Sequence, residues 1–142
     1  MKLLKNQKGL TLIELLAVIV ILGIIAAIAI PSVNTIISNS KKSAQKENAR
    51  AMIDAARYKV NSEFISTSKT FTLADLQDDK ANYIEKITDP SGDGYDSSKS
   101  KVIAKEEDGS FSYSVCLVGS ENYIGDGTTC IEESKLDDYE VK

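Results

Sequence analysis

Few residue types in this 142-residue chain could do acid–base or covalent chemistry, and the missing ones exclude most catalytic mechanisms. The sequence contains no His, so Ser-His, Cys-His and imidazole–metal sites cannot be built from it. Its two cysteines, Cys116 and Cys130, cannot form a structural zinc site by themselves. The sequence therefore predicts a protein that is not an enzyme and that needs no cofactor.

Glu14 is the most unusual ionisable residue because it lies in a strongly apolar segment. Of the 21 residues from Leu10 to Ile30, 18 are hydrophobic. A helix of that length spans roughly 30 Å, the thickness of the hydrocarbon core of a bilayer. A carboxylate in lipid costs on the order of 2.5–3.5 kcal/mol on insertion scales, so an acid there is functional by default. We predict a transmembrane helix over residues 10–30 with a role for Glu14; the alternative is that Glu14 merely snorkels to the interface.

Charge is distributed as unevenly as hydrophobicity. Residues 1–9 carry a net charge of +3, residues 31–62 carry +4 and residues 63–142 carry −10. The basic lead predicts a cytoplasmic N-terminus, with the chain beyond Ile30 outside the membrane. The acidic distal region does not favour DNA binding, and the basic stretch is expected to face lipid headgroups or acidic protein surfaces.

A secretory signal peptide is the competing interpretation of the N-terminal segment. Ala27-Ile28-Ala29 offers an A-x-A-like cleavage site. Against it, the apolar stretch exceeds the usual length of about 7–15 residues and continues into a helical pattern without a break. A signal peptide also leaves Glu14 unexplained.

The segment Lys8–Leu16, Lys-Gly-Leu-Thr-Leu-Ile-Glu-Leu-Leu, resembles the cleavage and methylation signature of type IV pilins and pseudopilins. Leu10 stands where members of that family usually have Phe, and Pro31 falls where the family commonly has a helix-bending proline. The resemblance covers roughly residues 2–55. It implies that a prepilin peptidase cuts between Gly9 and Leu10 and methylates the new amine of Leu10.

Cleavage at that position would give Glu14 a purpose. The cut removes residues 1–9 as a leader peptide and exposes a cationic amine on Leu10. This amine can pair with Glu14 of a neighbouring subunit, which relieves the desolvation of both charges as a filament forms. We therefore predict that Gly9 and Leu10 form the processing site and that Glu14 acts in assembly.

Beyond the apolar segment the chain is predicted to continue as an amphipathic helix over residues 31–62. Apolar residues recur there at three- and four-residue steps; they are Val33, Ile36, Ile37, Ala44, Ala51, Met52, Ala55, Ala56 and Val60. One helix from about Leu10 to Asn61 is expected, with its distal half packed on a head domain. Pro31 removes one helix hydrogen bond, which predicts a bend near residues 27–31, and we count it with Glu14 as an assembly residue.

Residues 63–142 are predicted to form a small head in which an antiparallel sheet packs on the helix, so the fold class is α+β. Thr72, with Asp75 three residues later, predicts a capping box and a short helix through Gln77. The other predicted elements are a loop at Phe64–Thr70, a second short helix at Ala81–Ile87, strands at Lys101–Lys105 and Phe111–Val118 around a turn at Glu106–Ser110, and a last strand near Asp138–Val141.

Cys116 and Cys130 lie on the predicted extracytoplasmic side, where disulfides persist. A bridge between them would close a Gly-containing loop and contribute roughly 3 kcal/mol in the chain-entropy model. Two independent buried thiols are the alternative. The family resemblance favours the bridge, since in many pilins a C-terminal disulfide bounds an exposed variable region, here residues 117–129.

Acidic turns make weak candidates for a calcium site. One group contains Asp89, Asp93 and Asp96, and a second contains Glu121 and Asp126. Hard oxygen ligands on a Gly-rich turn suit Ca²⁺, but the spacing is not that of an EF-hand and its bidentate Glu is absent. Solvated turns are the favoured interpretation, and no metal is predicted.

Together these inferences predict a structural subunit of a type IV pilus, polymerised through its N-terminal helix for adhesion, motility or related surface functions. The expected partners are further copies of the chain, a prepilin peptidase and an inner-membrane assembly platform. The precursor is expected in the cytoplasmic membrane and the mature subunit in a surface filament. A pseudopilin of a type II secretion or competence system shares the signature and is the alternative, and a membrane-anchored binding domain is a more distant one.

Overall fold

The computed structural model describes residues 7–78, 80 and 83–142, with the backbone alone for residues 7–10. The chain divides into two compact units, one ending at Asn39 and the other running from Ser40 to Lys142. A long helix, α1 (Gln7–Ser62), contributes residues to both units. The single helix predicted from Leu10 to Asn61 is thus confirmed, and the architecture is the predicted α+β one.

Pro31 lies inside α1, and the helix continues through it. The Thr35 hydroxyl donates to the carbonyl of Pro31 (3.1 Å), and the Ser32 hydroxyl donates to the carbonyl of Ile28 (3.2 Å). Hydroxyls bonded back to the preceding turn commonly accompany a proline within a helix of this kind. The bend expected near residues 27–31 stays a prediction.

The distal part of α1 supplies one wall of the hydrophobic core of the second unit. Its buried apolar residues are Ala49, Met52, Ile53, Ala55, Ala56 and Val60. The predicted stripe was wrong at its beginning, because Val33, Ile36, Ile37 and Ala44 are exposed, whereas Gln45 is wholly buried. The face that packs on the head is set by a hydrogen-bonding amide as well as by apolar side chains, and hydrophobic periodicity alone does not detect an amide.

A five-stranded antiparallel sheet forms the other wall in the described part of the chain. The strands are β1 (Lys69–Thr72), β2 (Lys101–Glu107), β3 (Ser110–Val118), β4 (Tyr123–Ile124) and β5 (Ile131–Glu132). β1 pairs with β2 and β2 with β3, while β4 and β5 share the far edge of β3. Tyr113, Val115 and Leu117 lie on the buried face of β3, as its alternating pattern predicts.

The β2–β3 hairpin has a tighter turn than the predicted Glu106–Ser110. Glu107 pairs directly with Ser110, so Asp108 and Gly109 alone form the loop. Their φ values are 50° and 81°, both positive, as a type I′ turn requires. An Asp-Gly pair suits this turn because both residue types tolerate the left-handed region.

Thr72 caps the short helix α2 (Leu73–Leu76), which confirms the predicted capping box. The Thr72 hydroxyl accepts from the Asp75 amide (3.2 Å), and the Asp75 carboxylate accepts from the Thr72 amide (2.9 Å). The predicted loop at Phe64–Thr70 was wrong at its end, because Lys69 and Thr70 already pair with β2. Cross-strand pairing with a strand more than 30 residues away overrides the weak local signal.

Two further sequence predictions were wrong in the described residues. Residues 83–87 form no helix, while Ala81 and the residue after it lie outside the described part of the predicted Ala81–Ile87 helix. Asp138–Val141 forms no strand; the chain pairs instead at Lys142, whose amide and carbonyl both bond to Tyr123. A one-residue bridge of this kind is set by long-range geometry and leaves no periodic pattern in the sequence.

Candidate functional site

The first unit presents an apolar helical surface that no other described part of the chain covers. α1 is the one helix among the described residues that is long and apolar enough to cross a membrane, and none of its most apolar window is buried. The large apolar side chains between Leu12 and Ile37 are 49–70% exposed. This surface needs lipid or another protein around it, because exposed apolar area of this extent is unfavourable in water.

Glu14 lies exposed on this apolar helix. Leu10 lies four residues earlier, one helical turn away, and the Gly9–Leu10 peptide bond belongs to the backbone of α1. The arrangement therefore places the predicted cleavage bond and the carboxylate within a single turn. A new N-terminal amine on Leu10 and the Glu14 carboxylate would therefore lie one helical turn apart on the same helix.

A disulfide joins Cys116 to Cys130, with 4.7 Å between their Cα atoms, so the predicted bridge is confirmed. Gly125 sits inside the loop with φ of 65°. A Cβ on Gly125 would lie 2.5 Å from the Thr129 carbonyl and 3.0 Å from the Cys116 sulfur, so this position requires glycine. The Asp126 carboxylate accepts from the Thr129 amide (2.6 Å), and this hydrogen bond lowers the pKa of Asp126.

An open cavity of about 310 Å³ lies beside the disulfide loop. Its lining residues are Tyr123, Gly125, Asp126, Thr129, Ile131, Tyr139 and Lys142. The Tyr139 hydroxyl accepts a hydrogen bond from the Gly125 amide at 3.4 Å. Of the two tyrosines that line the cavity, Tyr139 is therefore hydrogen-bonded to the disulfide loop. Two aromatic rings line the cavity together with the polar residues Asp126, Thr129 and Lys142, and the cavity forms part of the surface of the loop.

The structure does not bring Asp89, Asp93 and Asp96 together. Asp89 is buried and accepts from the amides of Ser91 (2.9 Å) and Ser120 (3.1 Å), whereas Asp93 is exposed. Asp96 accepts hydrogen bonds from within its own turn. Across residues 7–78, 80 and 83–142 no group of three His, Cys, Asp or Glu residues could hold a metal ion.

The basic stretch of α1 faces acidic groups of the same chain. Both carboxylate oxygens of Glu133 accept from Arg57 at 2.7 and 2.8 Å, and the Arg57 guanidinium lies 4.9 Å from the centre of the Tyr113 ring. Arg50 pairs with Asp137. The acidic protein surface expected for this stretch is thus at least in part the surface of its own head domain.

Two amides of α1 were missed by the sequence reasoning. Gln45 is buried against the end of β3, and Asn48 donates to the Thr88 carbonyl (2.9 Å) and the Tyr95 hydroxyl (2.8 Å). Burial raises the pKa of Tyr95 to about 12. The only sequence signal is their spacing, since residues three apart on a helix share a face.

Comparison with known proteins bears on the N-terminal region directly. Residues 4–30 match the family model described as the prokaryotic N-terminal methylation motif. This match contains Gly9, Leu10 and Glu14.

Two curated relatives are pilins by name. The chain is 46% identical over 70 residues to the type IV major alpha-pilin of Moraxella bovis, a match that covers 44% of this chain and 44% of that pilin. It is 46% identical over 52 residues to the type IV major pilin protein PilA of Myxococcus xanthus strain DK1622, covering 37% of this chain and 24% of the relative. The matches thus span less than half the length of either relative. No solved structure matches the chain.

The motif, the relatives and the fold all agree with the resemblance found in the sequence. The methylation motif covers the processing signature, and the long apolar helix is followed by a small antiparallel sheet with a disulfide-closed loop. The N-terminal part of the chain thus carries the prokaryotic N-terminal methylation motif and is similar to type IV major pilins.

Proposed function

We propose that the protein is the structural subunit of a type IV pilus. In this proposal a prepilin peptidase removes residues 1–9, the amine of Leu10 is methylated, and residues 10–30 first span the membrane and then form the filament core. Residues 31–62 connect that core to the head, residues 63–142. An inner-membrane assembly platform moves subunits from membrane to filament, which reaches the cell surface.

The observation that carries this proposal is the uncovered apolar surface of α1 in the first unit. Burial of one large aliphatic side chain is worth about 1.5–3 kcal/mol, so a segment with more than a dozen of them cannot lie in water. Lipid covers the part of it within residues 10–30 in the precursor. Once the subunit leaves the membrane, equivalent helices of neighbouring copies are the surface of matching length and chemistry.

Glu14 allows only processed subunits to move from the membrane into the filament. A carboxylate between packed apolar helices is costly unless a cation meets it, and the amine exposed at Leu10 by cleavage supplies that cation. An uncut precursor has a neutral amide at that position. Processing therefore permits assembly, because only a processed neighbour offers the compensating charge.

Mass spectrometry of protein taken from sheared surface filaments tests the processing step. We expect the N-terminal peptide to begin at methylated Leu10, and the intact mass to increase by two hydrogens on reduction of Cys116–Cys130. A filament subunit that retains residues 1–9 would contradict the proposal. A peptide that begins after Ala29 would assign the segment to a signal peptide instead.

Substitution of Glu14 tests the assembly step. Glu14→Ala should be cleaved normally but enter sheared filaments about tenfold less or worse, because each 1.4 kcal/mol of lost pairing changes an equilibrium tenfold. Glu47→Ala is the matched control, since Glu47 is an exposed acid on the same helix whose partner, Arg50, is a surface residue. Equal filament yields from the two variants would refute the assigned role of Glu14.

The alternative pseudopilin function predicts a different location for the processed protein. A pseudopilin would be methylated at Leu10 and stay with the cell envelope, without long surface fibres. Electron microscopy of sheared surface material, with the chain identified by antibody, separates the two functions. The names of the two relatives favour the pilus.

A further inference from the structure

Phe64 occupies an unusual position immediately after α1. Its side chain is 91% exposed, and its φ is 51°, in the left-handed region. The Ile65 amide bonds to the Val60 carbonyl (3.0 Å), and the Phe64 amide bonds to the Asn61 carbonyl (3.4 Å). This pair of hydrogen bonds defines a Schellman cap with Phe64 at the position that usually carries glycine.

In an isolated head, Phe is an unfavourable residue at this position for two reasons. A non-glycine residue is disfavoured at positive φ, and a phenyl ring surrounded by water loses the benefit of burial. The cap itself does not need the ring, since Ile65 makes the apolar contact with the core. The ring is therefore placed outward at a site where glycine would suit the fold better, which points to a contact outside the folded subunit.

The surroundings of Phe64 indicate the chemistry of that contact. Residues 64–68, Phe-Ile-Ser-Thr-Ser, carry no charge in a chain of which 27% is charged. A second neutral segment, residues 31–40, also contains no Asp, Glu, Lys or Arg and exposes three apolar side chains. These are Val33, Ile36 and Ile37, at 49%, 66% and 49% exposure.

The second neutral segment cannot rely on lipid for cover. Residues 10–30 already span roughly 30 Å, the full hydrocarbon thickness, so residues 31–40 begin where the hydrocarbon ends. Their apolar side chains and Phe64 thus form two uncharged surfaces on one chain, both exposed. A surface of one copy that fits a different surface of the next copy makes a heterologous contact, which repeats into a helical assembly.

We infer that Phe64 of one copy docks on residues 31–40 of a second copy, against Val33, Ile36 and Ile37. The inference rests on the proposed filament and names a contact within it. Hydrophobic complementarity between two neutral surfaces favours another copy of this chain over an anionic membrane, because the head region that begins at residue 63 carries a net charge of −10.

Cysteine cross-linking of the full-length chain in its own bacterium tests the contact. Both native cysteines are paired, so thiols introduced by Phe64→Cys and Ile36→Cys are the reactive ones. A bismaleimide added to sheared filaments should convert the double variant into a ladder of multimers and leave each single variant without one. Lys86→Cys with Ile36→Cys is the control pair, since Lys86 is exposed on another loop, and should give no ladder.

The same reaction is run on membranes, which separates failure of the contact from failure of the pilus proposal. If the wild-type chain forms no filaments, the pilus proposal fails, but a ladder in membranes still supports the docking of Phe64 on a second copy. Filaments without a ladder, a ladder equally strong in the control pair, or a cross-link to a different protein would each overturn the inference. So would the absence of any ladder in both filaments and membranes.

Phe64→Gly separates assembly from folding. Glycine suits the left-handed cap, so the full chain in detergent should melt at the same temperature or a few degrees higher, about 2–5 °C. Filament yield should nevertheless fall several-fold, and Phe64→Tyr, which keeps an aromatic ring, should restore it. Wild-type filament yield from Phe64→Gly would overturn the inference.

Discussion

Gln45 of α1 donates a hydrogen bond from Nε2 to the main-chain carbonyl of Asn122, 2.8 Å away. The same nitrogen lies 3.4 Å from the carbonyl of Leu117, and the Gln45 side chain is wholly buried. Leu117 is in β3, and Asn122 closes the turn that follows it. One helical amide therefore fixes the end of the strand from which the disulfide loop begins.

Removal of that amide should destabilise the head. Gln45→Ala removes the Gln45 donor from the buried Leu117 carbonyl and from the Asn122 carbonyl, which keeps the Gly119 amide (3.0 Å), and we expect a loss of about 1–3 kcal/mol of unfolding free energy. Gln45→Glu should cost more, because a carboxylate would face carbonyl oxygens. Urea unfolding of the full chain in detergent measures both variants. Ala44→Gln, at the exposed neighbouring position, is the control and should change stability by less than about 0.5 kcal/mol.

Reduction of the Cys116–Cys130 disulfide should also destabilise the head, by roughly 3 kcal/mol for a loop of this length in the chain-entropy model. The comparison is urea unfolding with and without reductant at neutral pH. The double variant Cys116→Ala/Cys130→Ala is the control, and reductant should not affect it further. Coincident midpoints for the oxidised and reduced wild-type chain would mean that the folded loop is held by its other contacts, such as those of Gly125.

Local signals explain which parts of the fold could be predicted from sequence. The helix α1 follows from a long unbroken apolar and amphipathic pattern, and the α2 cap from the Thr72/Asp75 spacing. The β2–β3 hairpin follows from alternation around Asp108-Gly109. Each of these depends on residues within a few positions of one another, so neighbouring side chains determine the outcome.

The remaining features depend on partners far along the chain. Gln45 is buried because carbonyls more than 70 residues away need its amide, while Ala44 beside it is exposed. Lys69 and Thr70 form a strand because β2 pairs with them. Asp89 was considered as a metal ligand because its backbone and hydroxyl partners, including Ser120, cannot be recognised from spacing. Polar side chains with distant partners were the main source of error.

Asp96 should make stability depend on pH in the acid range. Hydrogen bonds from the Ser98 hydroxyl (2.5 Å), the Ser98 amide (3.0 Å) and the Lys99 amide (3.2 Å) lower the pKa of Asp96 from 3.8 to about 2. A carboxyl whose pKa is lower in the folded state stabilises the fold above pH 3.8. This contribution is lost as the pH falls toward 2.

Asp96→Asn should therefore flatten the stability profile between about pH 4 and pH 2. The slope should not vanish, since the pKa values of Asp75 and Asp126 are lowered as well. Ser98→Ala removes the largest cause and should raise the pKa of Asp96 toward its ordinary value, as measured by carboxyl ¹³C titration. An unchanged titration of Asp96 in Ser98→Ala would contradict this account.

Asp89 joins two turns that lie about 30 residues apart, and its loss should cost more than the loss of the exposed Asp93. One Asp89 oxygen accepts from the Ser91 amide at 2.9 Å, and the other accepts from the Ser120 amide at 3.1 Å. Asp89→Asn replaces one acceptor by an NH₂ group that faces a donor, so unfolding should become easier by about 1–3 kcal/mol. Asp93→Asn should change stability by less than about 0.5 kcal/mol.

Gly119→Ala provides an independent test of the same junction. A Cβ on Gly119 would lie 2.8 Å from the second Asp89 oxygen and 2.9 Å from the Asn122 carbonyl that Gln45 binds. The methyl group must displace either the carboxylate or the carbonyl, so we expect a loss of about 1–3 kcal/mol, as for other overpacked sites. Because both substitutions disturb one hydrogen-bonded junction, the double variant Asp89→Asn/Gly119→Ala should lose less than the sum of the single losses. Strict additivity in urea unfolding would show that Asp89 and Gly119 act separately and that the two turns are not joined through this carboxylate.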